Sequence, residues 1–146
     1  MKVVVQRVAK AGVSVEGKNI SSIGKGYLLL VGIGSNDTET EIEYVAGKIA
    51  KLRIFPDDND KMNKSVIDIS GDILAVSQFT LYGDISDGNR PSFTKAMEPV
   101  KAQAYFDQFV SRLSALIGKE VKKGVFGAHM EVELTNDGPV TIIYER

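Results

Sequence analysis

The sequence has no cysteine and a single histidine, His129. Without cysteine there is no thiolate nucleophile, no thiolate metal site and no disulfide. With one histidine, a zinc centre would have to draw most of its ligands from carboxylates, an uncommon arrangement. No metal and no cofactor is therefore expected. Neither sign of charge is in excess: 18 Lys and Arg stand against 19 Asp and Glu, a net charge of −1. General nucleic-acid binders carry a strong basic surplus, so wholesale wrapping of RNA is excluded. A local basic patch that grips one RNA end is not. No apolar run approaches the ~20 residues of a membrane helix. The opening MKVVVQRVAKAGVSV is interrupted by Gln6, Arg7 and Lys10 and alternates like a strand, unlike a signal peptide. The expectation is a cytoplasmic protein with no membrane partner.

What is present is ordinary globular composition, 43% hydrophobic and 25% charged over 146 residues. That is enough chain for one domain, residues 1–146, with a sizeable core. Strands are predicted over 1–9, around Val13 and Val15, and back through Ile20 to Ile23 after a turn at residues 16–19. The unbroken apolar run 27–33 reads as a strand covered on both faces. A helix follows, capped by Asn36 or Asp37, with Ile42, Val45, Ile49 and Leu52 on one stripe. Residues 56–65 read as a loop, 73–82 as a central strand and 83–98 as an extended surface segment. A second helix begins near Pro99 and ends at Gly118, with Phe106, Phe109, Val110, Leu113, Leu116 and Ile117 on its apolar face. Three more strands are predicted near Val121, over 129–135 and over 139–144, the last two joined at residues 136–138. Seven or eight strands and two helices in this order give an α+β fold with a mostly antiparallel or mixed, barrel-like sheet.

Several segments carry polar groups where chemistry can happen. Ser77, Gln78, Phe79 and Thr80 lie at the end of an apolar strand. They are either one solvated face of that strand or a cluster facing a cleft, where buried polar groups need partners. Asn136, Asp137 and Gly138 make good turn chemistry, yet Pro139 follows, and proline cannot donate to a ladder and favours strand starts or edges. Arg7 sits among valines. If it is buried, it needs carbonyl or carboxylate partners. Residues 88–93 (GNRPSF) read as a loop with one exposed arginine, and His129 as a structural or surface residue. Asp57, Asp58 and Asp60 lack the glycine and terminal glutamate of a calcium loop.

Taken together these segments resemble the D-aminoacyl-tRNA deacylases of the bacterial and eukaryotic type. The resemblance runs the length of the chain. It includes Gln6-Arg7-Val8, Phe55-Pro56-Asp57, Lys61-Met62-Asn63, Ser77-Gln78-Phe79-Thr80-Leu81, Arg90-Pro91-Ser92-Phe93, Phe126-Gly127-Ala128 with Met130, and Asn136-Asp137-Gly138-Pro139-Val140-Thr141. It implies a homodimer acting on D-aminoacyl-tRNA, with each active site at the subunit interface. Ser77, Gln78, Phe79 and Thr80 would line the pocket as its catalytic segment. Gly138 and Pro139, joined by a cis bond, would enter the partner's pocket as a chirality filter. Arg7 would hold that pair, and Met130 would complete the substrate-binding set. Glycine mischarged on alanine tRNA would pass the filter as well.

The chemistry is plausible without a strong base. An aminoacyl ester is already activated, so positioning and oxyanion stabilisation do most of what is required. Main-chain N–H groups near Phe79 and Thr80 suit that task. Thr80 as a covalent nucleophile has no adjacent histidine, and the resemblance favours the terminal ribose hydroxyl as the group that positions water. Two rival readings remain: a stand-alone editing domain of the threonyl-tRNA synthetase type that removes L-serine, and a non-enzymatic protein that binds nucleic-acid ends.

Overall fold

The computed structural model describes residues 1–146. Its organising element is β1 (Lys2–Val15), a 14-residue strand with partners along both edges. On one edge lie β2 (Lys18–Ile23) and β3 (Gly26–Gly32), both antiparallel to it. On the other lies β8 (Glu131–Glu145), antiparallel over nearly its whole length. From β3 the sheet continues in parallel through β6 (Asp72–Ser77) to the short β7 (Lys122–Lys123). The sheet curls, so that the Ser21 hydroxyl on β2 donates to the Lys123 carbonyl on β7 at 2.7 Å.

This curl gives two cores. One face of the sheet packs against α1 (Glu39–Ala50) and α2 (Pro99–Ile117), burying Val3, Val5, Leu29, Ile73, Ile42, Ile49, Phe106 and Phe109. The inside of the curl holds a smaller cluster of Val8, Ala11, Val13, Ile23, Leu28, Leu74 and Val76. β3 and β6 are thus covered on both faces, which is why they read as unbroken apolar runs. No helix is long and apolar enough to cross a membrane.

The second helix agrees with its sequence signals. Glu98 caps it by accepting from the Val100 and Lys101 N–H groups at 3.0 and 2.7 Å, Pro99 opens it, and Gly118 ends it at φ 67°. The first helix departs from its reading. Its cap is Thr38, in a capping box with Glu41. Asp37 is buried instead, where its carboxylate accepts from the Met1 ammonium at 2.5 Å and from the Gly34 N–H at 2.6 Å. A desolvated ammonium demands a carboxylate more strongly than a helix end does.

Four further boundaries differ. The strands expected over 1–9 and around Val13 and Val15 are one strand, β1. Residues 53–65 form a small hairpin of β4 (Arg53–Pro56) and β5 (Met62–Ser65), its turn built on Asp57, whose carboxylate accepts from the Asn59 and Lys61 N–H groups. The strand expected over 73–82 ends at Ser77, and Phe79–Tyr82 turns into a 3₁₀ helix. The two tail strands are one continuous strand, β8, with no hairpin between them. The turn-forming residues 136–139 are a bulge within it.

Two glycines test this packing in opposite directions. A Cβ on Gly26 would lie 1.8 Å from the Asp72 carbonyl oxygen, where β3 meets β6, whereas one on Gly47 in α1 would meet nothing within 4 Å. Gly26→Ala is expected to destabilise the fold by about 2 kcal/mol or more. Gly47→Ala is expected to stabilise it by roughly 0.5–1 kcal/mol. Urea unfolding midpoints that fail to move in opposite directions would contradict this arrangement.

Candidate active site

Where β6 ends, the chain must leave a sheet that is buried on both sides. Gln78 anchors the exit, its N–H donating to the Val31 carbonyl at 2.8 Å. Phe79–Tyr82 then coils into the 3₁₀ turn. The first N–H groups of such a turn, those of Phe79 and Thr80, lie outside its own hydrogen-bond ladder. Beside them opens a cleft of about 290 Å³. Ser77, Gln78 and Phe79 form one wall, and Phe126, Gly127, Ala128, His129 and Met130 form another. Ala102 and Phe106 of α2, with Val31, Ile33 and Val76 of the sheet, form its apolar floor. No carboxylate and no lysine lines it.

Of the residues singled out in the sequence, Ser77, Gln78, Phe79 and Met130 line this cleft, and Thr80 does not. Thr80 is exposed on the 3₁₀ turn, and its hydroxyl accepts from Gln78 Nε2 at 2.5 Å. Sequence reasoning did not single out Ala102 and Phe106, whose helical spacing reads simply as core. It read His129 as a structural or surface residue. His129 is exposed, and it rims the cleft.

Arg7, Gly138 and Pro139 lie elsewhere in the chain. Between the pairs Gln6–Thr141 and Val8–Asn136, β1 advances two residues while β8 advances five. The three surplus residues stand out from the ladder as a bulge. The Gly138–Pro139 peptide is cis, and Gly138 has φ 129°, a conformation that L side chains rarely adopt. Arg7, 12% exposed, clamps the base of this bulge. Its Nε donates to the Asp137 carbonyl at 2.9 Å and lies 3.5 Å from the Asp137 carboxylate, while Nη1 donates to the Ile54 carbonyl at 2.6 Å. The β4 segment is held in turn by Tyr27, whose hydroxyl donates to the Leu52 carbonyl at 2.7 Å. Burial pushes the Tyr27 phenol above its ordinary range, so it stays a neutral donor. Tyr27 also stacks on Phe55, with ring centroids 5.2 Å apart.

The two groups of residues do not meet within one chain. Ser77 is level with Val31 and Val3; Arg7 is four residues further along β1 and two strands away, and the bulge on β8 is three strands away. At ~3.3 Å per residue and ~4.8 Å per strand the bulge lies about 20 Å from Ser77 measured along the sheet.

The D-Tyr-tRNA(Tyr) deacylase family model matches residues 4–145. The chain belongs to that family. It is 56% identical over 145 residues to the D-aminoacyl-tRNA deacylase of Chloroherpeton thalassium, spanning 99% of this chain and 95% of that one. It is 53% identical over 145 residues to the D-aminoacyl-tRNA deacylase of Koribacter versatilis, spanning 99% and 97%. Among solved structures, that of the c-Myc DNA Unwinding Element Binding Protein superposes with a TM-score of 0.95 at 44% identity, covering 100% of this chain and 99% of that one. A probable eukaryotic D-amino acid tRNA deacylase superposes with a TM-score of 0.85, covering 98% and 97%, and at 18% identity it shows the fold alone.

Within this family member the cleft's outer wall continues into the segment 83–98. Phe93 packs edge-on against Phe79, centroids 5.1 Å apart. Asp84 latches the segment: one carboxylate oxygen accepts from the Ser86 N–H and hydroxyl, and the other takes the Lys95 ammonium at 2.7 Å. The Lys95 and Ser86 hydrogen bonds hold the Asp84 carboxyl well below the usual carboxylate range. A depressed folded-state pKa gives stabilisation that is complete above the unfolded value of ~3.9 and is lost as pH falls through the folded value. The latch should therefore stay closed from pH 7 to pH 5. Exchange protection of the Ser92 amide, corrected for intrinsic rates, is expected to be constant over that range and to fall in Asp84→Ala. Loss of protection already at pH 5 would contradict the latch.

Proposed function

We propose that this protein hydrolyses the ester bond between a D-amino acid and the terminal adenosine of its tRNA, and that two copies share each active site. The cytoplasm, where that substrate is found, is its place of action. The observation that carries the reading is what the site holds rigidly. The cleft offers no carboxylate or lysine, and the most buried arginine is committed to main-chain carbonyls at the base of the 137–139 bulge. Such a site sorts and positions more than it reacts, which suits an ester already activated for attack.

In this reading the aminoacyl group enters the apolar cleft. The N–H groups of Phe79 and Thr80 stabilise the developing oxyanion, and the free ribose hydroxyl positions the attacking water. Gly138 and Pro139 of the second copy close the cleft. Their carbonyls occupy the space an L side chain would need, so L-aminoacyl-tRNA is rejected by overlap. A hydrophobic pocket alone discriminates a methylene by only ~1–3 kcal/mol, whereas repulsion from fixed main chain rises far more steeply. Glycine has no side chain to clash, so glycyl-tRNA(Ala) is accepted. β8 is consistent with a partner surface. None of its residues is fully buried, and Leu134 and Ile143 are 39% and 71% exposed.

Release of amino acid from D-tyrosyl-tRNA, with L-tyrosyl-tRNA left intact, is the expected result. Hydrolysis of L-seryl-tRNA instead would place the protein with the editing domains of threonyl-tRNA synthetases. Tight binding of nucleic-acid ends without ester turnover would favour the accessory reading, which draws its support from the name of the 44%-identical structural neighbour. Two substitutions test the roles. Thr80→Ala should keep its rate within about 10-fold of the parent, since no covalent step runs through it. Arg7→Ala should reduce the D-to-L rate ratio by about 10-fold or more, by freeing the bulge. A Thr80→Ala protein that is folded and inert would overturn the water route.

A further inference from the structure

The cleft is apolar and the chain as a whole is weakly acidic, so nothing described so far grips the charged part of an RNA. Two cations stand next to residues that line or buttress the cleft. Arg90 sits in the latched segment, next to Pro91, which lies 3.7 Å from the Cβ position of Gly83, with Phe93 packed on the cleft residue Phe79. Reciprocal hydrogen bonds of 2.9 Å between Asp84 and Ser92 close the segment two residues from Arg90. Lys101 lies in the first turn of α2, adjacent to the cleft residue Ala102, its ammonium 5.3 Å from the Tyr105 ring. Both are exposed, and neither is in an ion pair.

The acids nearest to them do not neutralise them. Asp84 is committed to Lys95 and Ser86, and Glu98 to the first N–H groups of α2. Asp87, on the same segment as Arg90, makes no ion pair with it. Half of the 18 lysines and arginines are in ion pairs, Lys122, Lys123 and Arg112 among them; Arg90 and Lys101 belong to the other half and are next to residues that line or buttress the cleft. Two uncommitted cations, on separate elements, thus neighbour the walls of an apolar cleft. One of them is on a segment fixed in place.

We infer that Arg90 and Lys101 bind backbone phosphates of the single-stranded 3′ end of the tRNA, and thereby set how far its terminal nucleotide enters the cleft. The inference rests on the reading that this cleft receives the aminoacyl end. An apolar pocket recognises the amino acid and two outlying charges recognise the polymer, so the chain need carry no general basic surplus. Each phosphate contact to a single strand contributes about 0.7 to the slope of log affinity against log salt.

Binding and hydrolysis are measured separately. Binding uses an uncharged acceptor-stem RNA ending in CCA, titrated by fluorescence anisotropy over a salt series. Hydrolysis uses D-tyrosyl-adenosine, which has the ester and the base but no phosphate. The double variant Arg90→Ala with Lys101→Ala is expected to bind the RNA about 10-fold more weakly and to lose about 1.4 from the salt slope. It should hydrolyse D-tyrosyl-adenosine like the parent. Arg90→Lys with Lys101→Arg, which keeps both charges, should restore RNA affinity. Unchanged affinity and slope in the double alanine variant would overturn the inference, even if the parent hydrolyses the ester. Weakened RNA binding in a protein whose parent leaves D-tyrosyl-adenosine intact would sustain the inference and remove the proposed activity.

Discussion

A guanidinium with little access to water must find acceptors or the fold loses several kcal/mol. Arg7 finds them in the carbonyls of Ile54 and Asp137, on two elements far apart in sequence. That one requirement ties the β4–β5 hairpin to the bulge of β8 across β1. Tyr27 reinforces it from behind by fixing Leu52, two residues from Ile54. The main chain at 137–139 is consequently not a loose turn. It is pinned at its base by charge-assisted hydrogen bonds and shaped by a glycine at φ 129°. The rest of the proposed function depends on that stiffness.

The division of labour in the proposed site follows from its chemistry. An ester already activated for attack needs little from a side chain and much from geometry. A cleft floored by Val31, Ile33, Ala102 and Phe106 offers an apolar surface and no carboxylate or lysine to compete for the substrate's charge. In the proposed mechanism, main-chain N–H groups at the 3₁₀ turn are the fixed dipoles that meet the developing negative charge, at no reorganisation cost. Main-chain carbonyls have no rotamer into which they can retreat, which suits a filter that must reject one mirror image while accepting many side chains of the other. Electrostatic grip, if it is to leave this cleft neutral, belongs outside it.

How much of this was legible depended on whether a local signal existed. The strands β3 and β6 announced burial on both faces, because nothing polar interrupts 27–33 or 73–76. Helix α2 carried a proline, a glycine and an apolar stripe in the right places. The bulge was half legible: Pro139 cannot donate to a ladder, which told against a plain hairpin. That residues 131–145 form one strand depends on pairing with β1, a contact 130 residues away that no local pattern encodes. The 3₁₀ turn at Phe79 was hidden because Phe79, Leu81 and Tyr82 have strand-like side chains. Asp37 looked like a helix cap, and only its distant partner, the Met1 ammonium, shows why Thr38 caps instead. The cleft residues Ala102 and Phe106 carry no signal apart from core spacing, and His129 none that placed it at the rim. The family resemblance supplied the pairing of Ser77–Thr80 with Gly138–Pro139, which periodicity does not give.

The central claim is that a complete site needs the cleft of one copy and the bulge of another, since about 20 Å separates the two within a chain. Subunit complementation tests this most directly. One variant carries a blocked cleft, Ala102→Trp, and the other a displaced bulge, Gly138→Val with Pro139→Val. The blocked cleft alone should be inactive on D- and L-tyrosyl-tRNA, and the displaced bulge alone should hydrolyse both. When equal amounts are unfolded and refolded together, about half of the open clefts should face the intact bulge of a hybrid dimer, so hydrolysis of L-tyrosyl-tRNA per bulge-variant subunit should fall to about half while that of D-tyrosyl-tRNA holds. If hydrolysis of L-tyrosyl-tRNA per subunit stays unchanged while hybrid dimers demonstrably form, the shared-site account is wrong.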